Sequence, residues 1–544
     1  MARTHPFVLL SVALAALLAV GRAQTLVKSG SGVNIYYRTG WTTPYIHYST
    51  GSGWTTVPGK AMSASTNSDF PSSLGWFHYT FADSVTSLEF VFNNGNGVWD
   101  NNDEDNYKVT AGTWQLTSLV STPPSTGAIQ GVFAHYMPGG MTEEQAAQDV
   151  TDAIAMGLDA FIINVSDLVS SWSLNCVKYL FTAAEAQSFK LFFSWDMSVI
   201  SSPDAVLSLM EQYASSSAYY TFNGRPVTTT FIGGSFSSST WQSSYKDALA
   251  DKDIDTYFIP DFDDVNPGDN FFDKFPVADG TLCWGCSWAD PSTAVGVAVN
   301  VSTSLDQVYI DACEASDKTY MMGLSTHQYK HMDTANNWYR SGGANVGRRI
   351  EQILKTQPDF VEIITWNDAG EGHYIGNLWL WSLDSSPAIQ AYVYGYPHQG
   401  FQEVYIPFIA GAKAGATSLS DLAPQNDRQV QGAMWYHPLL NGGDCSADAL
   451  GKPGGYQAAL DEVNVVATFA TSGAKVTVSS AGSQIASFTA AKGLNYWSAT
   501  GVKAGEVQVD ITGSDGASLS STVGNVTVAS SMALCNYNYA VFSL

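Results

Sequence analysis

The sequence has few basic residues. Its 544 residues include 24 Lys and Arg against 49 Asp and Glu, a formal net charge of -25 at pH 7. A surface with this charge repels a nucleic-acid backbone and an anionic membrane, so we expect neither as a partner. Hydrophobic residues reach 45% and charged residues only 13%, a composition typical of globular domains. We therefore expect a neutral or cationic partner.

Beyond the N-terminus, the sequence also lacks an apolar run of about 18 residues, the length that a membrane span needs. The N-terminus itself carries Arg3, an apolar run over residues 6–20 and a small-residue stop that ends at Ala23. This pattern predicts an export signal over residues 1–23 and hence a secreted, extracellular protein. Glycosylation on that route is compatible with the sequons at Asn164, Asn300 and Asn525.

Cysteine is scarce, with 6 residues in the chain. In an oxidising compartment six cysteines are expected to form disulfides, and fifteen pairings are possible. Cys445 and Cys535 bracket the last segment of the chain, so we expect them to pair. Cys283 and Cys286 form a single CxxC without a second CxxC or a suitable His pair, which favours a structural disulfide over a metal site.

The hydrophobic pattern divides the chain into segments, as the length of 544 residues requires. Residues 24–117 read as short alternating strands between Gly, Ser, Asn and Pro turns, which predicts a β-sandwich. A Ser, Thr and Pro stretch over residues 118–128 is typical of a linker. Residues 129–440 alternate strands with helices, and residues 441–544 return to strand-type alternation, which predicts a second β-sandwich packed on the central domain.

The central segment contains eight short apolar runs, each followed by a connection or a helical pattern. They cover residues 131–137, 159–165, 190–196, 228–234, 255–261, 280–286, 320–326 and 360–366. The first helix is expected to begin at the capping box of Thr142 and Gln145 and to end at Gly157. Eight such units predict a (β/α)8 barrel, and a miscount by one unit would favour an open doubly wound sheet instead.

Polar residues collect where these strands end, which is the catalytic face of such a barrel. They include His135, Asn164, Asp167, Asp196, Asp261, Asp263, Trp284, Trp288, Ser325 and His327. Residues 365–373 form the densest polar cluster and contain Asp368 and Glu371 on either side of a glycine. Carboxylates beside tryptophans at one barrel mouth are typical of a glycosidase. For Asp368 alone, an ordinary turn or capping role is an equal alternative.

Four motifs carry a family resemblance: FAHYM at residues 133–137, GLDAFIIN at 157–164, FKLFFSWDM at 189–197 and ITWNDAGEGHYI at 364–375. With the closing CNYN, they resemble glycoside hydrolase family 71, the fungal α-1,3-glucanases or mutanases, over roughly residues 129–544. The resemblance implies a (β/α)8 barrel with an accessory β-sandwich. It also implies an inverting glucan endo-1,3-α-glucosidase that acts on α-1,3-glucan.

On this resemblance the paired carboxylates fall on Asp368 and Glu371, and a further acidic residue falls on Asp167. We expect Glu371 to be the general acid and Asp368 to be the base that activates water. The chain has Ala369 where the family usually has an aromatic residue and Gly372 where Ser is usual, which bears on chain-length preference. Residues expected to contact substrate are His135, Asn164, Asp167, Asp196, Trp366, Asn367 and His373.

The first segment resembles carbohydrate-binding module family 25, a starch-binding group. The resemblance rests on GWTTPYIHY at residues 40–48, WTTVPG at 54–59 and FNNGNGVWDNN at 92–102. Exposed indoles can stack on glucose rings while a His and amide groups bind the hydroxyls. The expected binding residues are His47, Trp54, Trp99 and Asn101.

The module leaves two alternatives open: a hydrolase of starch or mixed α-1,3/α-1,4-glucan, and a glucan-binding wall protein without activity. No metal or other cofactor is expected. His327 and His331 lack the adjacent Glu of a metalloprotease motif, and residues 100–105 lack the glycine of an EF-hand loop. We expect a monomer whose partner is an α-glucan polysaccharide.

Overall fold

A computed structural model provides the structure. It describes residues 24–39, 41, 43–51, 53–67, 70, 72, 76–95, 99–100, 106–117, 129–265, 270–291 and 296–544. The chain divides into two compact units, Met1–Gly127 and Ala128–Leu544. The predicted export signal and the whole predicted linker lie outside the described residues. None of the described helices is long and apolar enough to cross a membrane.

The first unit consists of β-strands. They are β1 Gln24–Lys28, β2 Val33–Arg38, β3 Tyr45–Ser49, β4 Lys60–Ala61, β5 Ser63–Ala64, β6 Trp76–Thr80, β7 Ser87–Asn93, β8 Trp99–Asp100, β9 Tyr107–Thr110 and β10 Gly112–Thr117. One sheet has the order β1-β10-β2-β6-β5, and the other has the order β4-β3-β7-β8 with β9 paired to β7. Burial alternates along β2, with Val33, Ile35 and Tyr37 in the core. Period-2 alternation therefore places one face of this strand in the shared core.

The second unit begins with strands that alternate with helices. The strands are β11 Gly131–Tyr136, β12 Ala160–Val165, β13 Lys190–Asp196, β14 Thr221–Phe222, β15 Arg225–Phe231, β16 Tyr257–Phe258, β17 Gly280–Cys283, β18 Thr319–Leu324, β19 Gln328–His331, β20 Asn337–Arg340 and β21 Phe360–Ile363. The α-helices are α1 Glu143–Met156, α2 Ser171–Gln187, α3 Leu207–Tyr213, α4 Ser238–Trp241, α5 Asp247–Ala250, α6 Phe271–Lys274, α7 Ser304–Ser316, α8 Asn345–Thr356, α9 Pro387–Val393 and α10 Gln402–Lys413. A π-helical turn, Gln242–Lys246, joins α4 to α5. Single 3-10 turns are Pro203–Val206, Gly285–Ser287, Leu380–Leu383, Gln399–Phe401, Leu419–Asp421 and Tyr456–Ala458.

A nine-stranded curled sheet organises this region. Its order is β14-β15-β13-β12-β11-β21-β18-β17, with β16 paired to β15. All of its strands run parallel except β14, which is antiparallel to β15. The predicted eight apolar runs correspond to its parallel strands. The loops that follow parallel strands all lie at the same end of the sheet. The residues in these loops therefore face one opening, the mouth of the curled sheet.

The fifth predicted strand is shorter than expected. It was expected over residues 255–261, but β16 covers only Tyr257–Phe258. Pro260 has no backbone N–H to donate to a ladder, so regular pairing stops before it. Beyond the proline, Leu282 N donates to Pro260 O at 3.1 Å and Asp261 forms a parallel bridge with Leu282.

Local helix signals are confirmed in α1. Thr142 and Gln145 form a capping box at the start of the helix, and Gly157 ends it with φ 89°. The side chain of a non-glycine residue is strained at that φ, which explains the glycine. The helix is thereby fixed between the first two strands of the curled sheet.

The last part of the second unit is again β-structure. Its strands are β22 Val430–Tyr436, β23 Leu439–Asp444, β24 Glu462–Phe469, β25 Lys475–Ser480, β26 Ser483–Thr489, β27 Gly493–Thr500, β28 Val507–Thr512, β29 Ser518–Val523, β30 Ala529–Ser531 and β31 Ala540–Ser543. Two four-stranded sheets have the orders β27-β24-β22-β31 and β26-β25-β28-β29, and β23 pairs with β30. Because β22 belongs to the first of them, these sheets begin ahead of the predicted start at residue 441.

Both expected disulfides are present. Cys445 is bonded to Cys535, which closes a loop with a sequence separation of 90, and Cys283 is bonded to Cys286. Cys176 and Cys313 are free and buried. The Cys445–Cys535 bond ties the segment after β23 to the segment before β31.

Candidate active site

The loop after β21 brings Asp368 and Glu371 together. Asp368 N donates to Thr365 Oγ1 at 2.9 Å, and Asp368 Oδ1 accepts from Glu371 N at 3.0 Å. Gly372 follows with φ 73°, and a Cβ at this position would lie 3.0 Å from Tyr329 O. A tight turn therefore sets the relative position of the two carboxyl groups.

Cationic and amide donors surround the Glu371 carboxylate. Gln328 Nε2 donates to Oε2 at 2.6 Å, and Lys330 Nζ donates to Oε1 at 3.2 Å. His373 Nε2 lies 3.3 Å from Oε2. Burial by itself raises the pKa of Glu371, but the hydrogen bonds of His373 and Gln328 and the charges of His373 and Lys330 outweigh it and hold the pKa at about 2. Glu371 is therefore ionised at any pH near neutrality.

The surroundings of Asp368 shift its pKa in the opposite direction. Burial raises its pKa, and the neighbouring negative charge of Glu371 adds to this, against the opposing charges of His373 and Lys330. Two carboxyl groups whose surroundings move their pKa values apart are the usual basis for separate acid and base roles. The directions favour Asp368 as the proton carrier, the reverse of the roles that we expected from the sequence.

The two carboxyl groups lie close to one another. One oxygen of Asp368, one oxygen of Glu371 and one ring nitrogen of His373 all lie within 4.8 Å of one another. These are ligand types that a metal ion can use, but the ammonium group of Lys330 already faces Glu371 and repels a cation. We assign no metal to this cluster.

Tryptophan and histidine rings form a wall beside the acids. Trp284, half-buried after β17, lies with its ring 4.8 Å from the His135 ring and 6.4 Å from the His373 ring. Trp288 lies 5.4 Å from the His373 ring. His135 Nδ1 is 2.7 Å from the buried Glu362 Oε1, which orients the imidazole. An indole in this place can stack on a sugar ring next to the carboxyl pair.

Two further carboxyl groups hold the turn that carries Trp284. Asp261 Oδ1 accepts from Trp284 N at 3.2 Å, and Asp263 Oδ2 accepts from Gly285 N at 2.5 Å. Burial and the charge of Asp263 raise the pKa of Asp261 well above its usual value. Their contacts thus position the indole.

Three other expected residues lie at the same mouth. Asn164 is buried, with Nδ2 3.5 Å from Asp196 Oδ2. Asn367 Oδ1 accepts from Met137 N at 2.8 Å, and its Nδ2 donates to Met137 O at 2.9 Å. Asn367 therefore links the loops after β11 and β21. Burial of Asn164 also removes its sequon as a glycosylation site.

Two expected substrate contacts find other surroundings. Trp366 is fully buried and its ring packs 4.9 Å from the Phe161 ring, so in this structure the indole presents no exposed face to a sugar. The indole of Trp366 instead packs in the hydrophobic core behind the two carboxyl groups. Asp167 Oδ1 accepts from Val169 N at 2.9 Å and Ser170 N at 2.8 Å. These contacts are local to the start of α2, and among the described residues no hydrogen bond or ion pair joins Asp167 to Asp368 or Glu371.

Gln328, Lys330 and Glu362 were absent from the expected site. The signal for Gln328 and Lys330 was their spacing of two within a strand, which places both side chains on one face. The signal for Glu362 was a charged residue inside an apolar strand, since a buried charge needs a partner.

The first unit carries its own cluster of rings. Trp54 and Trp99 are 43% and 36% exposed, unlike most tryptophans of the chain. The His47 ring lies 5.1 Å from the Trp54 ring and 5.7 Å from the Trp99 ring, and His47 Nδ1 is 2.8 Å from Thr55 Oγ1. Asn101 lies outside the described residues. Two exposed indoles around an anchored His form a platform suited to glucose rings.

A carboxyl pair beside a tryptophan, in the loops that follow parallel strands, is the arrangement typical of a glycoside hydrolase. Residues 128–544 match the family model "Glycosyl hydrolase family 71", and the chain belongs to that family. Residues 28–125 match the model "Carbohydrate binding domain (family 25)".

Curated relatives agree with both matches. The glucan endo-1,3-alpha-glucosidase agn1 of Schizosaccharomyces pombe is 30% identical over 385 residues, 68% of this chain and 85% of the relative. The mutanase Pc12g07500 of Penicillium rubens is 29% identical over 418 residues, 76% of this chain and 88% of the relative. An alpha-amylase of Niallia circulans is 40% identical over 97 residues, 18% of this chain and 7% of the relative.

Proposed function

We propose that the protein is a glucan endo-1,3-α-glucosidase that hydrolyses α-1,3-glucan. The carboxyl pair of Asp368 and Glu371 carries the proposal, because hydrolysis needs one group that gives a proton and one that takes a proton from water. Family membership supports the reaction class. The names of the relatives from Schizosaccharomyces pombe and Penicillium rubens support the α-1,3 linkage.

In the proposed reaction, Asp368 donates its proton to the glycosidic oxygen as the bond from that oxygen to the anomeric carbon breaks. Glu371 accepts a proton from a water molecule whose oxygen forms the new bond to the anomeric carbon. Gln328, Lys330 and His373 keep Glu371 ionised for this role. Trp284 supplies the face on which the reacting sugar stacks.

We further infer the finer architecture and place of action. The contacts of Leu282 with Pro260 and Asp261 support closure of the curled sheet into a (β/α)8 barrel. Packing of the two C-terminal four-stranded sheets on a common apolar core supports an accessory β-sandwich. The N-terminal export pattern and the two disulfides support secretion. We propose that the protein acts on extracellular glucan as a monomer.

Hydrolysis with inversion is part of the proposal. A separation of about 6.5 to 9.5 Å between the carboxyl groups leaves room for water, whereas about 5 to 5.5 Å is typical of retention. The present oxygens are within 4.8 Å. This limit joins one oxygen of each group, whereas the separation that distinguishes inversion from retention is measured between the whole carboxyl groups.

This stereochemistry predicts that the first product released from a linear α-1,3-gluco-oligosaccharide is the β-anomer. Proton NMR within the first minutes of reaction, before mutarotation, measures the anomer. The same sample after mutarotation gives the reference ratio. An α-anomer as first product would show retention through a covalent intermediate and would contradict inversion.

A second candidate, hydrolysis of starch or of mixed α-1,3/α-1,4-glucan, is favoured by one observation. The first unit presents the exposed pair of Trp54 and Trp99 and matches a stretch of a bacterial amylase. Since the carboxyl pair decides the chemistry and the first unit only the location, we favour α-1,3-glucan.

A further inference from the structure

A two-stranded hairpin reaches Glu371 from outside its own loop. It consists of β19 and β20 and follows the seventh parallel strand of the curled sheet. Gln328 and Lys330 project from one face of β19 onto the two oxygens of Glu371, at 2.6 and 3.2 Å. Tyr329 N also donates to Glu371 O at 2.8 Å. The hairpin therefore holds both the backbone and the carboxylate of this residue.

The opposite side of the hairpin is bonded to the C-terminal part of the chain. His331 Nε2 lies 2.7 Å from Asp448 Oδ2, and His331 Nδ1 lies 2.7 Å from Asn337 Oδ1. Tyr329 OH donates to Cys535 O at 2.8 Å. Trp338 forms a parallel bridge with Gly454. Each strand of the hairpin thus has contacts with the segment that follows β23 or precedes β31.

Asp448 joins these contacts at one carboxyl group. In addition to facing His331, Oδ2 accepts from Cys535 N at 2.8 Å, and Oδ1 accepts from Leu450 N at 3.0 Å. The Cys445–Cys535 disulfide closes the same segment. Hydrogen bonds therefore hold the Asp448 carboxyl group within a segment that the disulfide closes, and the side chain is mostly buried beside His331.

We propose that Asp448 is a positioning residue of the active site, since it fixes the β19–β20 hairpin so that Gln328 and Lys330 stay against Glu371. This proposal rests on the proposed function. Gln328 and Lys330 contact the Glu371 carboxylate, and their position depends on Asp448, which does not contact Glu371. The C-terminal segment therefore has a role in the chemistry.

The position of the hairpin has a consequence for the charge on Glu371. Lys330 and Arg340 face it from the hairpin, His373 and Asp368 from its own loop, and Tyr392 from α9. Loss of the Lys330 ammonium or of the Gln328 amide raises the pKa of Glu371 from about 2 toward the ordinary carboxyl value. The acidic limb of the pH profile then moves to higher pH, because Glu371 acts in its ionised form.

The test compares Asp448→Asn and Lys330→Met with wild type on linear α-1,3-gluco-oligosaccharides between pH 2 and 7, with kcat/KM as the readout. If the pKa rises to about 4, the ionised fraction at pH 3 falls about tenfold, so kcat/KM relative to its plateau falls by the same factor in both variants. The double variant with Asp448→Asn and Lys330→Met should have an acidic limb close to that of Lys330→Met alone, since both substitutions act through the contact of Lys330 with Glu371. Lys330→Arg should keep the wild-type limb.

The matched control is Asp311→Asn, an exposed carboxylate on α7, outside the hairpin, that accepts a hydrogen bond from Gln307. Its acidic limb should equal that of wild type. A ¹³C NMR titration of the Glu371 carboxyl group gives the same comparison without turnover. An unchanged Glu371 titration in Asp448→Asn would overturn the proposal, even if the melting temperature fell. A wild-type protein without activity, but with the expected titrations in the variants, would count against the proposed function alone.

Discussion

Replacement of Glu371 by Gln or of Asp368 by Asn lowers kcat on α-1,3-glucan by about 10² to 10⁴-fold, the usual contribution of a positioned acid or base. Either substitution keeps the size of the side chain but removes its proton chemistry. The measurement is the release of reducing ends from purified glucan at the pH optimum. Asp311→Asn, a carboxylate on the exposed face of α7 that bonds Gln307, is the matched control and should retain full activity.

An activated substrate separates the two roles. Departure of fluoride needs no proton, so the α-fluoride of an α-1,3-linked gluco-oligosaccharide should be hydrolysed by Asp368→Asn at a rate close to that of wild type. Glu371→Gln should remain slow on the fluoride, because water still lacks its base. The opposite outcome would support the roles first expected from the sequence, with Glu371 as acid and Asp368 as base. Near-normal activity of both variants on the polymer would end the assignment of the pair.

The second large effect concerns the first unit. Trp54→Ala combined with Trp99→Ala removes both exposed rings that lie beside His47. With about 0.5 to 1.5 kcal/mol for each stacked ring, affinity for insoluble α-glucan should fall about 5- to 150-fold. Depletion of the protein from solution by glucan particles measures the affinity. The turnover number on short soluble oligosaccharides should not change.

Trp172→Ala supplies the control for this loss. Trp172 is 45% exposed but lies in the second unit. Its replacement removes an exposed aromatic ring and leaves the platform of Trp54, Trp99 and His47 unchanged. Its affinity for the particles should match that of wild type. Unchanged retention of the Trp54 and Trp99 double variant would show that the rings near His47 do not bind glucan.

Features set by neighbouring residues could be predicted from the sequence. The start and end of α1 depend on Thr142, Gln145 and Gly157, which act within one or two helical turns. Asp368 and Glu371 are likewise brought together by one short loop. The shortening of β16 at Pro260 was also visible, although apolar content alone favoured a longer strand.

Features set by distant residues could not be predicted in this way. Gln328 and Lys330 meet Glu371 only because a hairpin folds back across the mouth. The aromatic character of Trp366 beside the acids suggested a sugar contact, but the ring packs on Phe161 behind them. In both cases the surroundings of the side chain depend on which face of its strand or loop packs against the rest of the fold, which the local sequence does not determine.

The same limit applied to the roles of the pair. Which carboxyl group keeps its proton depends on burial and on the charges of Lys330 and His373, not on the identity of Asp or Glu. The spacing of the pair in the sequence predicted the partners but not their ionisation.

The most direct test is the initial rate at which the purified full chain releases reducing ends from linear α-1,3-glucan and, in parallel, from soluble starch. Hydrolysis through Asp368 and Glu371 predicts release from α-1,3-glucan that is faster than release from starch and is lost in Glu371→Gln. Faster release from starch would contradict the linkage, and no release from either glucan would leave a protein that binds glucan without cleaving it.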